Sequence, residues 1–323
     1  MAENDMLNRQ EAIQLMNQLG QEREPFFFFT DFLGSKAFVS PIKNLDNQVT
    51  YQFGSTTSAK EYETFEFEKK PIAFDQFVPP FQYVIDQINF GNSYLVNLTF
   101  ETPIETNLSL QQVFDISRAK YKVLFEDQFV LFSPETFVLI KENKIYSYPM
   151  KGTIDAKIPN AESVILNDVK ETAEHVTIVD LIRNDLSQVA RGVHVPKFRF
   201  ITEIKTHEKS LLQVSSEICG DLDPDWKDQI GEILFKLLPA GSISGAPKKE
   251  TVRIIQQAES YDRNFYTGVC GVFDGESLDS GVMIRFIENQ GGQLVYKSGG
   301  GITSFSKAES EYQEIIDKVY VPV

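Results

Sequence analysis

Apolar residues return at helical spacing near the start of the chain, where Met6, Ile13, Met16 and Leu19 fall close to one face and predict a short amphipathic helix over 6–19. The period changes at Pro25. Phe26-Phe27-Phe28-Phe29-Thr30-Asp31-Phe32 predicts a mostly buried strand, followed by a turn at Gly34 and a second strand around 36–39. Shorter strands are expected at 51–53 and 65–67. The pair Pro79-Pro80 predicts a break, after which 81–88 suits a helix, 94–100 a strand and 108–119 another helix. Strands at 129–132 and 137–140 follow, with a tight polar connection from Asn143 to Tyr146. The second half predicts helices over 161–186 and 225–238, and a third from Ala246-Pro247, where a proline in the first turn sacrifices no helical hydrogen bond. Strands at 267–273, 281–287 and 293–297 precede a closing helix from Lys307.

The strands come in adjacent short pairs instead of alternating singly with helices. That pattern predicts an α+β fold of antiparallel sheets with packed helices, not a doubly wound parallel sheet. The 323 residues suffice for one large core, and no repeat or low-complexity linker interrupts them. A division near residue 80 or 150 would only subdivide one compact unit, with 1–80 adding strands to a core completed by 81–323.

Charge narrows the class of partner. The 46 acidic and 31 basic residues leave a net −15, which disfavours a nucleic-acid backbone or an anionic membrane. A small anionic substrate remains compatible, because a few local cations can invert the potential inside a cleft. Cys219 and Cys270 form no CxxC pair and read as core residues of a reduced protein. No cationic segment leads into an apolar run, and Phe26–Phe29 is far shorter than the ~20 residues of a membrane helix. A cytoplasmic location is the expectation.

Several side chains suggest chemistry. Glu311 and Glu314 stand three apart in the closing helix, and Glu171 and Glu174 repeat the spacing in the 161–186 helix. Each pair shares a helix face and could serve Mg²⁺, which takes oxygen ligands, although such pairs are also common on solvated helices. Gly299-Gly300-Gly301 follows the strand at 293–297 and suits either close backbone approach to an anion or a tight turn. It is not a P-loop, and Gly241-Ser242-Ile243-Ser244-Gly245 is not a GxSxG elbow. Arg285 lies in the apolar run Val282–Ile287, where alternation places it with Met283 and Ile287, facing either a carboxylate or water. Lys151, between Met150 and Gly152, is either an exposed turn lysine or, if desolvated, a nucleophile. His175, His194 and His207 form no zinc motif. These residues describe an anion-binding, Mg²⁺-using enzyme without naming its substrate.

Ordered blocks over 81–319 supply more. Gly91–Thr99 (GNSYLVNLT), Ser133–Phe137 (SPETF), Pro149–Thr153 (PMKGT) and Val179–Val189 (VDLIRNDLSQV) are followed by Pro239–Lys248 (PAGSISGAPK), Arg263–Gly271 (RNFYTGVCG), Ile284-Arg285, Gly299–Ile302 and Glu311–Lys318 (EYQEIIDK). In these blocks the chain resembles the chorismate-utilising enzymes: the component I chains of anthranilate and aminodeoxychorismate synthases, the isochorismate synthases and the salicylate synthases. The resemblance implies an anthranilate-synthase-like fold, with two packed antiparallel sheets flanked by helices. It implies Mg²⁺ at Glu174 and Glu314, with Glu171 and Glu311 nearby. Chorismate carboxylates would be held by Tyr266, Arg285 and the Gly299–Gly301 backbone, in a pocket also lined by Lys318.

The same resemblance orders the possible reactions. Family members that make aminodeoxychorismate carry Pro-Ile-Lys-Gly-Thr where this chain has Pro149–Thr153, whereas anthranilate synthases, the nearest alternative, have alanine at the lysine. Lys151 is therefore expected to attack ring C2 of chorismate as the C4 hydroxyl leaves, after which ammonia adds at C4 and expels the lysine. Water-using relatives, the isochorismate synthases among them, carry a lysine base where this chain has Leu95, which cannot activate water. The family's usual histidine is replaced by Gln213, which donates a hydrogen bond but is no general acid; the acid role falls to Mg²⁺-bound water or another side chain, or to His207 from the preceding loop, unless hydrogen bonding alone suffices. The short N-terminal part offers little for a tryptophan feedback pocket. Ammonia is expected from a separate glutamine amidotransferase partner, since neither cysteine lies in a glutaminase motif.

Overall fold

The computed structural model describes residues 6–46, 48–54, 65–205 and 210–323. His207, the proposed stand-in for the missing histidine, lies outside them. Among the described residues two antiparallel sheets, one of ten strands and one of eight, are sandwiched with helices outside. The expected α+β architecture is present.

The phenylalanine run shows why the sheets stack. Phe26–Thr30 lies inside the ten-stranded sheet between Lys36–Pro41 and Val269–Phe273, and all five of its residues are buried. Strand side chains alternate between faces. Phe26 and Phe28 accordingly join Ala12, Met16, Leu19 and Trp226 beneath the helices. Phe27 and Phe29 instead enter the core between the sheets, with Phe125, Phe129 and Phe286 of the second sheet.

Several expected elements are displaced, each for a local reason. The first helix is Arg9–Gln21, because Asn8 caps it and closes a reciprocal capping box with Glu11. Pro79-Pro80 does not break the chain; both prolines lie inside the helix Phe74–Asn89. An interior proline costs about 3 kcal/mol, but Phe77, Phe81, Val84 and Ile88 are buried along one face, each contributing roughly 1.5–3 kcal/mol. The 161–186 helix is two helices, Ala161–Asn167 and Val169–Leu186, divided at Asp168, whose carboxylate accepts the Glu171 N–H at 2.8 Å. Glu142 and Asn143, with φ of 52° and 57°, make the turn after Thr136–Lys141, so Lys144–Ser147 is itself a strand. The hairpin of Arg191–Lys205 with Ser210–Asp221 was not foreseen. Three register shifts interrupt the pairing of its first strand and blur the alternation.

Three differences matter for the site. Lys151 is not in a turn but in the strand Met150–Asp155. The three glycines lie within the strand Gln293–Ile302, not after it. The expected strand over 281–287 does not exist as one unit: Leu278–Val282 belongs to the first sheet and Phe286–Gln290 to the second. Arg285 sits in the crossing between them with φ of 54°, so strand alternation says nothing about its direction. Cys219 and Cys270 are free and buried. Among the described residues, no helix is long and apolar enough to cross a membrane.

Phe29 meets the rings of Phe38, Phe125, Phe129 and Phe265 at centroid distances of 5.2, 4.9, 5.5 and 5.2 Å. Phe29→Ala is expected to lower stability by about 3–5 kcal/mol in urea denaturation. Phe90→Ala, at a position 83% exposed, should stay within about 0.5 kcal/mol. Equal effects would refute the assignment of Phe29 to the joint between the sheets.

Candidate active site

The glycine strand forms the floor on which distant charges meet. Gly299, Gly300 and Gly301 pair with Thr99, Leu98 and Asn97 of the strand Leu95–Thr106. A Cβ on Gly301 would stand 3.3 Å from Lys151 Nζ, 3.6 Å from Leu95 Cδ1 and 3.9 Å from Glu174 Oε2. On Gly300 it would stand 3.5 Å from Glu311 Oε2 and 3.6 Å from Glu314 Oε1. On Gly299 it would lie only 2.5 Å from Thr99 Cγ2. Only at Gly299 would an added Cβ clash outright, against Thr99 and Leu98; at Gly300 and Gly301 it would meet the ends of these side chains near contact distance.

Each charged group reaches this floor from its own element. Pairing of Met150–Asp155 with Ser210–Asp221 slips between Met150 and Thr153, and this irregularity, with Gly152 at φ of 84°, displaces Lys151 from the regular ladder. Lys151 Nζ lies 3.5 Å from Glu174 Oε2. Glu171, one turn earlier in the same helix, places Oε2 3.1 Å from the Cβ position of Gly152. Glu311 and Glu314 come from Ala308–Asp317, and Lys318 follows at its end. Lys318 Nζ donates to the Gly299 carbonyl at 2.8 Å and pairs with Glu314 at 2.7 Å. Burial pushes the Lys318 ammonium pKa down against the opposing pull of Glu314, and the charges of Lys151 and Arg285 add to the decrease.

The Arg285 guanidinium lies 5.3 Å from the centroid of Tyr320. Tyr266 is buried, and that burial raises its phenol pKa, so it remains a neutral donor. Gln213 lies between Thr153 of the Lys151 strand and Thr202. Among the described residues, the histidine held close to this region is His175, next in sequence to Glu174. Its Nε2 is 2.7 Å from Ser216 Oγ, and burial, then Arg199 and Lys151, push its pKa down to about 4.

Two features escaped the sequence reading. Glu135 accepts a hydrogen bond from Ser242 Oγ. Burial raises its carboxyl pKa against Ser242 and the positive charges of Lys151, Arg285 and Lys318. The acid was visible inside SPETF, but three cations from separate elements surround it only after folding. The second is a buried ion pair, Arg263 Nη2 to Glu259 Oε1 at 2.6 Å. Arg263 also donates to the carbonyls of Ile243 and Asn97 at 3.0 and 2.7 Å, while Glu259 accepts the Thr99 N–H at 2.9 Å. The pair ties the strand under the glycines to the loop that carries Tyr266.

Carboxylates at Gly300 and Gly301 make an all-oxygen donor set of the kind a hard divalent cation takes. Among the described residues no group of three or more His, Cys, Asp and Glu side chains is gathered closely enough to hold a metal unaided. Such acids match a hard cation that takes only one or two protein carboxylates and fills the rest of its shell with water and other oxygen donors.

Backbone glycines, carboxylates and lysines from separate elements thus stand within a few ångströms of one another. The chain belongs to the family of chorismate binding enzymes, which it matches over residues 35–323. It is 49% identical over 319 residues to a PabA-like protein of Haemophilus influenzae, covering 97% of both chains. It is 30% identical over 261 residues to aminodeoxychorismate synthase component 1 of Escherichia coli, covering 76% of this chain and 56% of that one. The menaquinone-specific isochorismate synthase MenF of Escherichia coli shares the fold, with a TM-score of 0.69 at 15% identity over 96% of this chain and 81% of that one.

Gly301→Ala would insert its methyl 3.3 Å from Lys151 Nζ. It is expected to lower chorismate turnover at least about tenfold by misplacing the reacting groups, while moving the urea midpoint little. A steady-state assay beside a denaturation curve checks this; wild-type turnover in the variant would refute the close approach.

Proposed function

We propose that this chain is an aminodeoxychorismate synthase component I, converting chorismate and ammonia to 4-amino-4-deoxychorismate. The observation that carries the reading is Lys151 Nζ, held 3.5 Å from Glu174 and directly over the backbone of Gly301. In a chorismate binding enzyme, an amine at that place favours covalent chemistry over direct substitution.

After its ammonium gives up a proton to solvent, Lys151 forms a bond to C2, the ring double bond shifts, and the C4–O bond breaks. Glu135, whose carboxyl pKa is raised by burial, gives its proton to the departing hydroxyl, which leaves as water. Ammonia then bonds to C4, the double bond returns, and the C2–N bond breaks to release the lysine. Gln213 takes the place of the usual histidine as a hydrogen-bond donor only, so the acid role rests with Glu135. Leu95, whose Cδ1 lies 3.6 Å from the Gly301 Cβ position, keeps that wall apolar and offers no base for water.

Arg285, Tyr266, Lys318 and the backbone of Gly299–Gly301 bind and orient the substrate's carboxylates. Glu174 and Glu314 would hold Mg²⁺, with Glu171 and Glu311 beside them. When bound, the ion supplies positive charge that lowers the cost of bringing a carboxylate against these acids. The ammonia would come from a glutamine amidotransferase partner.

Incubation with chorismate, Mg²⁺ and ammonium should yield a product with the mass of 4-amino-4-deoxychorismate; anthranilate or isochorismate would refute the reading. Glu314→Gln should require a higher Mg²⁺ concentration for half-maximal turnover, because an amide is a poorer ligand for a hard cation. An unchanged Mg²⁺ titration would remove Glu314 from the metal site. In Glu135→Gln, turnover should fall by about 10²-fold or more. In wild type, turnover should fall as pH rises through the elevated pKa of Glu135, because the acid form is the active one. That alkaline limb should vanish in the variant, and its persistence would exclude Glu135 as the acid.

A further inference from the structure

Glu135 has a second side. A cavity of about 20 Å³, large enough for one water, is bordered by Glu135, Ser242, Gly241 and Asp185. Asp185 and Lys248 also line an open groove of about 950 Å³ on the surface. Asp185 thus stands between solvent and the cavity behind the proposed acid.

The contacts around Asp185 are close. Lys248 Nζ lies 2.7 Å from Asp185 Oδ2 and donates to the Leu237 carbonyl at 2.8 Å. A Cβ on Gly241 would fall 2.9 Å from Asp185 Oδ2 and 3.2 Å from Leu181, so glycine is what lets the carboxylate reach the cavity wall. Burial raises the carboxyl pKa of Asp185 and lowers that of the Lys248 ammonium, in each case against the pull of the other. The burial effects narrow the gap between the two groups, and a proton crosses between them at less cost than between an exposed pair. The charges of Lys151, Arg285 and Lys318 act on Glu135, and the charged group paired with Asp185 is Lys248.

We propose that Lys248, Asp185 and a water in this cavity form a relay that returns a proton to Glu135 after each turnover. It rests on the reading above only in that Glu135 gives up a proton as a hydroxyl leaves chorismate. That step leaves Glu135 as a carboxylate with its front covered by bound substrate or product. The Lys248 ammonium then passes a proton to Asp185, Asp185 passes one to the cavity water, and that water protonates Glu135. The neutral Lys248 amine takes a replacement proton from solvent in the groove. No electrons move, and the net change is one proton drawn from solvent.

Lys248→Arg tests the relay, because arginine keeps the ion pair but does not release its proton near neutral pH. Asp185→Asn is the second variant. Each is compared with wild type in a rapid-quench single turnover, with enzyme in excess over chorismate, and in the steady state. The first loss of the chorismate hydroxyl should stay within about twofold of wild type, because Glu135 starts protonated, while steady-state turnover falls at least about tenfold. Wild-type steady-state turnover in Lys248→Arg would overturn the relay. So would an equal loss in both phases, which would mean that Lys248 and Asp185 only support packing. If the wild-type product is not aminodeoxychorismate, the functional reading fails, yet the comparison of phases still decides the relay.

Discussion

The site depends on a stretch of backbone that carries no side chains. Gly299, Gly300 and Gly301 run through the second sheet as ordinary strand residues, so their role is not to turn the chain. Their role is steric. Lys318 bonds to the carbonyl of the first, Glu311 and Glu314 stand over the second, and Lys151 and Glu174 stand over the third. A Cβ on Gly299 would collide with Thr99 and Leu98, and one on Gly301 would stand 3.3 Å from Lys151 Nζ.

Around that floor the protein reverses its own sign. A chain of net charge −15 gathers Lys151, Arg285 and Lys318 about Glu135, and at the same place sets Glu174, Glu311 and Glu314 over the glycines. Opposite charges held this close, and partly shielded from water, interact strongly. The frame is correspondingly tied: Arg263 and Glu259, with buried side chains, join the strand beneath the glycines to the loop bearing Tyr266 through the four hydrogen bonds or ion contacts named above. Removing either partner would leave an uncompensated buried charge, which commonly costs about 3–5 kcal/mol.

What could be read from the sequence was what depends on local periodicity. The i,i+3 glutamates fall on helices as their spacing requires, and the strand of phenylalanines is buried on both faces as its composition suggests. The resemblance of ordered blocks gave the fold and the family. Local patterns failed where the chain changes surroundings within a few residues. Arg285 looked like a strand residue because Val282–Ile287 is apolar throughout, yet the chain passes from one sheet to the other there. Pro79-Pro80 looked like a break because the gain from burying Phe77 and Phe81 is tertiary. Glu135 carried no local sign of its electrostatic setting, since the three cations that act on it come from residues 151, 285 and 318.

A covalent bond from Lys151 to the substrate would show most directly in the mass of the intact protein. Wild type mixed with chorismate and Mg²⁺ in the absence of ammonia, then quenched, should gain the mass of chorismate less one water. Peptide mapping should place that gain on Lys151, and Lys151→Ala should show none. An adduct on another residue, or none on wild type alongside full aminodeoxychorismate synthesis when ammonium is added, would contradict the account.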